Sequence, residues 1–243
     1  MGNLPKILVG TMTCGEGDIT ECLNAINSQT GVNIEHFIIE DKTELEAHNL
    51  LWGTFEKRKN EFDLIVKIDG DTVLIRENIL SEICDIMFGD DEVTGMQVLI
   101  DDYFTGDLIA GLNCFKPTVV FNPPNSELYC DRVDTNHKKI INGFNVPKQL
   151  IPAAKHCHYS TNVQAFHFGL HRRLKNQGEI LQKVFNLWQT HQDTKRGYVL
   201  IGAMMASNFM DHKNFSYNDE KFINHYNIAV QNVEKFLEKL KTS

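Results

Sequence analysis

The sequence predicts an α/β fold: a mostly parallel sheet flanked by helices, followed by a helical C-terminal region. Three observations predict it. Apolar, β-branched runs alternate with amphipathic helical stretches from Lys6 to Ile68, giving β-α-β-α-β. The third of those runs, Ile65-Val66-Lys67-Ile68, ends abruptly in Asp69-Gly70-Asp71. From Asn162 onward the apolar spacing is helical almost to the C-terminus.

The first run, Lys6–Thr11, is short and apolar, as a buried strand is. After the loop 12–17, Asp18 with Glu21 three residues on forms a capping-box pattern, and Ile19, Cys22, Leu23 and Ile26 make a helical stripe. Thr30-Gly31 stops that helix. Ile34–Ile39 is a second strand closing in Glu40-Asp41. Thr43–Lys59 is a second helix that buries Leu45, Leu50, Leu51 and Phe55. Asp63–Ile68 is the third strand. Further on, Glu77–Phe88 reads as a helix, and Val93–Ile100 and Asp107–Leu112 as strands. Tyr103–Gly106 between them is either a hairpin loop or an aromatic wall for a sugar or base. Asn162–Leu187 reads as one long helix, 197–209 as another, and 220–241 as a third.

A chain of 243 residues without a Pro/Gly/Ser linker is expected to form a single domain, 1–243. Within it we expect a nucleotide-binding half (1–75), an acceptor-side half (76–160) and the helical region (161–243). The net charge of −8 argues against a nucleic-acid partner, which would select a basic surface, yet leaves room for a local basic pocket. No apolar run approaches the length that spans a bilayer, so there is no transmembrane segment. Peripheral membrane contact through the C-terminal helices stays open, as does an oligomer. The six cysteines (14, 22, 84, 114, 130, 157) form no Cys-x-x-Cys pair. They read as reduced thiols of a cytoplasmic protein, and the short run after Lys6 reads as a strand and not a signal peptide.

The sheet pattern gives the acids their meaning. Right-handed crossovers put the C-termini of three parallel strands on one edge, where ligands of such sheets bind. The loop 11–17, Glu40-Asp41 and Asp69-Asp71 should therefore converge on one crevice. Alternation at a strand end points Asp69 and Asp71 the same way, and two such carboxylates can share a hard divalent cation, with Gly70 letting a ligand approach the backbone. Downstream, Glu127, Asp131 and Asp134 are either a solvated helix face or catalytic acids. His156-Cys157-His158 follows Pro152. His167 and His171 stand at i and i+4 on one helix face, a metal-binding spacing, although the Glu of a His-Glu-x-x-His motif is missing. Arg172, Arg173 and Lys175 either meet phosphate or form a solvated helix end.

Several stretches together resemble the nucleotide-sugar glycosyltransferases of GT-A fold, family 2 type, over roughly residues 6–122. They are Ile38-Ile39-Glu40-Asp41-Lys42-Thr43, Ala47-His48-Asn49, the strand from Asp63 into the DxD motif Asp69-Gly70-Asp71, and Ile109 to Lys116. The resemblance implies a transferase that uses Mn²⁺ or Mg²⁺ and a nucleotide-sugar donor, most readily a UDP-sugar. Asp71 would bind the ion that bridges the donor diphosphate, and Asp69 the ribose or, through water, the metal. Glu40 or Asp41 would contact base or ribose, with Thr11, Thr13 and Asn49 also on the nucleotide side. A later histidine would complete the metal site, His156 first and His158 second. An inverting member needs a carboxylate base, for which Asp131 or Asp134 is placed. The acceptor would be a saccharide or lipid-linked hydroxyl, as in bacterial surface polysaccharide or glycoconjugate synthesis. Here His48 replaces the family's Arg, and its acceptor-side Glu-Asp dipeptide has no clean counterpart.

Two other readings compete. A nucleotidyltransferase uses a related sheet, but would carry a basic glycine-rich loop after the first strand, and 12–17 has no Lys or Arg. A non-catalytic binding protein of the same fold would use the acids only to cap turns.

Overall fold

The structure is a computed structural model that describes residues 3–13, 19–123, 129–131, 136, 138–211 and 216–241. It is a mixed α/β sheet with helices on both faces and a helical layer at its C-terminal end. The first unit comprises β1 (Lys6–Thr13), α1 (Thr20–Asn27), β2 (Asn33–Glu40), α2 (Glu44–Arg58) and β3 (Leu64–Asp69). β4 (Thr72–Leu74), α3 (Ile79–Phe88), β5 (Val93–Asp102) and β6 (Leu108–Phe115) follow. Then come β7 (Lys139–Asn142) and β8 (Ala154–His156). The helical layer holds α4 (Asn162–Leu174), α5 (Gly178–His191), α6 (Thr194–Met205), α7 (Glu220–Gln231) and α8 (Val233–Lys241).

The strand order is β2-β1-β3-β6-β5-β8-β4, with β7 also on β5. β1 pairs in parallel with β2 and β3, and β5 in parallel with β7 and β8; β6 and β4 supply the antiparallel pairs. β1 is therefore flanked by both of the next two strands, and the two crossover helices fall on opposite faces. Cys22 and Ile26 of α1 bury into one core with Ile7, Val9 and Ile83, while Leu51, Trp52 and Phe55 of α2 bury into another with Leu8 and Ile65. Thr43 caps α2 with a full capping box to Glu46. The Asp18 cap lies outside the described residues, and α1 opens at Ile19 without a side-chain cap.

Two helices differ from the sequence expectation. The long helix at 162–187 breaks into α4 and α5, because Asn176 takes the left-handed conformation (φ 55°) between them. The stretch 220–241 also divides, at Asn232. The Tyr103–Gly106 segment is a hairpin turn and no aromatic wall. Phe104 is fully buried in the helical core, Asp102 Oδ2 accepts from the Thr105 amide and hydroxyl, and Arg196 Nε donates to the Phe104 carbonyl at 3.0 Å. Gly70 is also packed differently. Its amide bonds the Met12 carbonyl at 3.1 Å, and a Cβ there would sit 3.1 Å from that oxygen, so β1 is a close neighbour that itself favours glycine.

α4 and α6 meet backbone to backbone. A Cβ on Gly169 would lie 1.7 Å from the Val199 carbonyl oxygen, and one on Gly202 2.0 Å from that of Phe166. Gly169→Ala should therefore destabilise the protein by about 1–3 kcal/mol or more, since a backbone cannot yield as a side chain can. Gly53 is exposed in mid-α2, and a Cβ added there would meet nothing within 4 Å. It should behave oppositely, with Gly53→Ala gaining about 0.5–1 kcal/mol. Urea midpoints of the two variants against the parent protein check both signs.

Candidate functional site

Asp71 leaves the end of β3 and enters a buried ionic chain. The register of β8, held between β4 and β5, aligns His156 with Thr72 on one side and with Asp102 on the other. His156 Nδ1 lies 2.7 Å from Asp102 Oδ1, and Nε2 lies 3.4 Å from Asp71 Oδ2. Gln164 Nε2 at the start of α4 donates to Asp71 Oδ2 at 2.8 Å, and the Cys157 thiol donates to the same oxygen at 3.3 Å. The ligand atoms of Asp71, His156 and Cys157 all lie within 4.8 Å of one another, close enough to surround one metal ion.

Burial opposes each charge in this chain, and the partners win. The Asp71 carboxyl is held below the usual carboxylate range by His156, Cys157 and Lys67 against the pull of burial. His156 is raised well above an ordinary imidazole: burial alone would lower it, but the Asp71 and Asp102 carboxylates outweigh that. Cys157 itself is pushed up, first by burial and then by Asp71, so it stays a thiol.

Asp69 turns to a different partner. Both of its oxygens sit 2.6 Å from Lys67 Nζ, two residues back along the same face of β3. Lys67 is buried, yet stays above its ordinary value because Asp69 outweighs the burial. Asp69 and Asp71 thus line one cleft while holding different cations.

The cleft has two lobes. The first, about 250 Å³, is lined by the acids Glu44, Asp69, Asp71 and Asp131 together with Lys42, Lys67, His48, His156, His171, Arg172 and Lys175. Met12 and Thr13 close its β1 end. The second, about 490 Å³, lies over β5 and β6 and is lined by Trp52, Gln97, Asn113 and Phe115, among others. Lys67, Asp69, Asp131, His156 and Arg172 line both lobes. In a chain of net charge −8, the first lobe gathers Lys42, Lys67, Arg172 and Lys175 beside four acids. That arrangement suits an anion carried with a cation.

The sequence-predicted residues are placed as follows. Asp69, Asp71, Asp131, Thr13 and His156 line the cleft. Thr11 does not reach it: the side chain is fully buried and its hydroxyl meets His36 Nε2 at 2.9 Å. Glu40 and Asp41 are exposed at the end of β2 and outside the cleft wall. Asn49 follows His48 on α2, and the helical rotation carries it off the wall. His158 is drawn to Asp101 at 3.0 Å, since Cys157 takes a left-handed φ of 58° and breaks the alternation that would have kept His156 and His158 together. Asp134 and Glu127 lie outside the described residues. His167, His171, Arg172 and Lys175 of the α4 end line the first lobe, whereas Arg173 is exposed away from it. Asp102, Cys157 and Gln164 were not anticipated. Asp101-Asp102 carries the same signal as Asp69, an apolar run ending in acids.

No protein-family model matches this chain, and no curated protein matches it. Among solved structures, the chain is similar to the mannosyltransferase PcManGT from Pyrobaculum calidifontis, determined in complex with GDP-Man and Mn²⁺. The two are 11% identical, with 99% of this chain and 83% of that chain covered and a TM-score of 0.39. A likeness that distant assigns no role to any residue here.

Removing His156 would leave two facing carboxylates without their cation. In the metal-free protein, His156→Ala should cost about 3–5 kcal/mol at about pH 6. The His156 value is raised on folding, so its contribution is fully present below the unfolded imidazole value of about 6.5 and is lost as pH rises through the folded value. The Asp71 contribution runs the other way, present above about pH 4 and lost as pH falls. Denaturant titrations from about pH 4 to well above about 6.5 should show the difference between parent and variant shrinking toward the alkaline end.

Proposed function

We propose that this chain is a divalent-metal-dependent glycosyltransferase that moves a sugar from a nucleotide-sugar donor to a hydroxyl acceptor. The observation that carries the reading is Asp71, paired with a carboxylate-backed histidine at the mouth of a strand, in a cleft that also holds Lys42, Arg172 and Lys175 and continues into a second lobe.

The residues suit a dication such as Mn²⁺ or Mg²⁺. Asp102 accepts only, so Nδ1 of His156 carries a proton and Nε2 is the nitrogen left to face Asp71. That is the carboxylate–histidine–metal arrangement in which an outer carboxylate orients the ligating ring. Asp71 and His156 would hold the ion, while Cys157 and Gln164 orient Asp71 by donating to it. Bound there, the cation supplies positive charge against the diphosphate that departs as the glycosidic bond breaks.

The chain's own groups supply the rest. Lys42 and Arg172 line the first lobe with the acids and would take the phosphates. Lys175 reaches the same lobe while bonded to Glu44 at 3.2 Å. The second lobe offers the side-chain amides of Gln97 and Asn113, which bond each other at 3.0 Å, above the buried rings of Trp52 and Phe115. Such a mixture of rings and amides suits a saccharide acceptor, including a lipid-linked one. Asp131 is exposed where the two lobes meet and would accept the proton of the attacking hydroxyl. A UDP-sugar is the donor we test first, with GDP-sugars beside it.

Calorimetric titration of UDP, UDP-sugars and GDP-sugars, with and without Mn²⁺, tests the reading. Metal-dependent binding of at least one nucleotide is expected, and none with any of them would overturn it. Asp71→Asn keeps the hydrogen bond from Gln164 but removes the charge, and should lower turnover by about 10²–10³ or more while leaving the circular dichroism unchanged. Because a bound cation must displace the Nε2 proton of His156, metal affinity should rise with pH, with proton release measurable as a dependence of binding heat on buffer.

A further inference from the structure

A second cluster of ligating atoms shares no residue with the Asp71 group, and two of its members, Glu44 and His48, line the first lobe. Glu44, His48 and Cys130 each offer one ligand atom, and these atoms all lie within 4.8 Å of one another. We propose that Glu44, His48 and Cys130 form a binding site for a borderline-soft divalent cation of the Zn²⁺ type, distinct from the Asp71 site.

Local structure assembles the three groups. Glu44 and His48 are one helical turn apart on α2, so they share a face. Trp52, one turn further on the same face, donates its indole N–H to the Cys130 carbonyl at 3.1 Å. That bond holds the Cys130 segment over α2 although the two residues are 78 positions apart in the chain.

The histidine is set up as a ligand. His48 Nδ1 lies 2.8 Å from the Glu44 backbone carbonyl. A carbonyl only accepts, so Nδ1 carries the hydrogen. His48 is 5% exposed, and its Nε2 is buried without a hydrogen-bond partner. With the hydrogen on Nδ1, the Nε2 lone pair points to no donor. A buried polar atom without a partner is costly, and a metal ion would satisfy it. The backbone carbonyl on the far nitrogen is the customary outer partner of a ligating imidazole.

The other two ligands set the metal class. The Glu44 carboxyl meets the His171 imidazole at 2.9 Å and the Lys175 ammonium at 3.2 Å, and these two donors orient it. Cys130 is a fully buried free thiol. On binding, its S–H bond breaks, the proton leaves to buffer, and the sulfur lone pair forms the metal–sulfur bond. Carboxylate, imidazole and thiolate together suit Zn²⁺ better than Mg²⁺, which prefers oxygen alone. Glu44 and His48 line the cleft, so a fourth position would open toward it, as in zinc sites that keep a coordination place free.

Cobalt(II) reports the site without reference to activity. The full chain, stripped with EDTA, is titrated with Co²⁺, and a near-ultraviolet thiolate-to-cobalt charge-transfer band is expected. Cys130→Ser should abolish the band. His48→Ala should weaken Co²⁺ binding at least about tenfold, whereas Cys157→Ser should leave the band in place. A parent protein with no such band, a band that survives Cys130→Ser, or one lost only in Cys157→Ser would overturn the proposal. If Cys130→Ser fails to fold, the parent protein still decides: Zn²⁺ should slow alkylation of Cys130, mapped by mass spectrometry, and leave that of Cys84 unchanged. Equal effects on both thiols would overturn it. Nucleotide binding is not a readout here, so the glycosyltransferase reading stands or falls separately.

Discussion

The Asp102–His156–Asp71 chain is the interaction on which the site depends. It links three parts of the fold that are remote in sequence: the end of β5, the end of β8 and the turn after β3. Two buried carboxylates flanking one imidazole are stable only with the ring between them protonated, or with a cation in the proton's place. The sheet provides the geometry through strand register, and α4 completes it by sending Gln164 onto Asp71. Electrostatics and topology are thus one constraint here. A slip of β8 by one residue would remove His156 from both acids.

What could be read in the sequence was local. The β-α-β-α-β order, the strand that delivers Asp69 and Asp71, and the second helix from Thr43 all follow from patterns a few residues long, and the structure contains each of them, with α2 capped at Thr43. The differences arise where local pattern stops informing. Thr11 sits on a strand whose residues 7–11 are buried on both faces, so alternation carried no sign of which side meets the cleft. His158 parts from His156 because a single left-handed residue intervenes. Asp102 carries a readable signal but no readable partner, since His156 is 54 residues away and only the β5–β8 register brings them together. The α4–α5 break is hidden by an apolar stripe that continues through it.

Asp69 also shows how one motif can divide its labour. Two acids one residue apart invite the picture of a shared ion. Lys67, on the same strand face, bonds both oxygens of Asp69, while Asp71 meets the histidine. The buried lysine therefore separates the two carboxylates electrostatically. It also puts a positive charge at the junction of the two lobes, beside Asp131.

The glycine contact between α4 and α6 has a consequence for motion. Gln164, His167, His171 and Arg172 all project from a helix whose backbone rests directly on its neighbour. Such a helix has no side-chain cushion through which to slide. Any widening of the cleft would have to carry the C-terminal helices along as one rigid body, pivoting against the sheet.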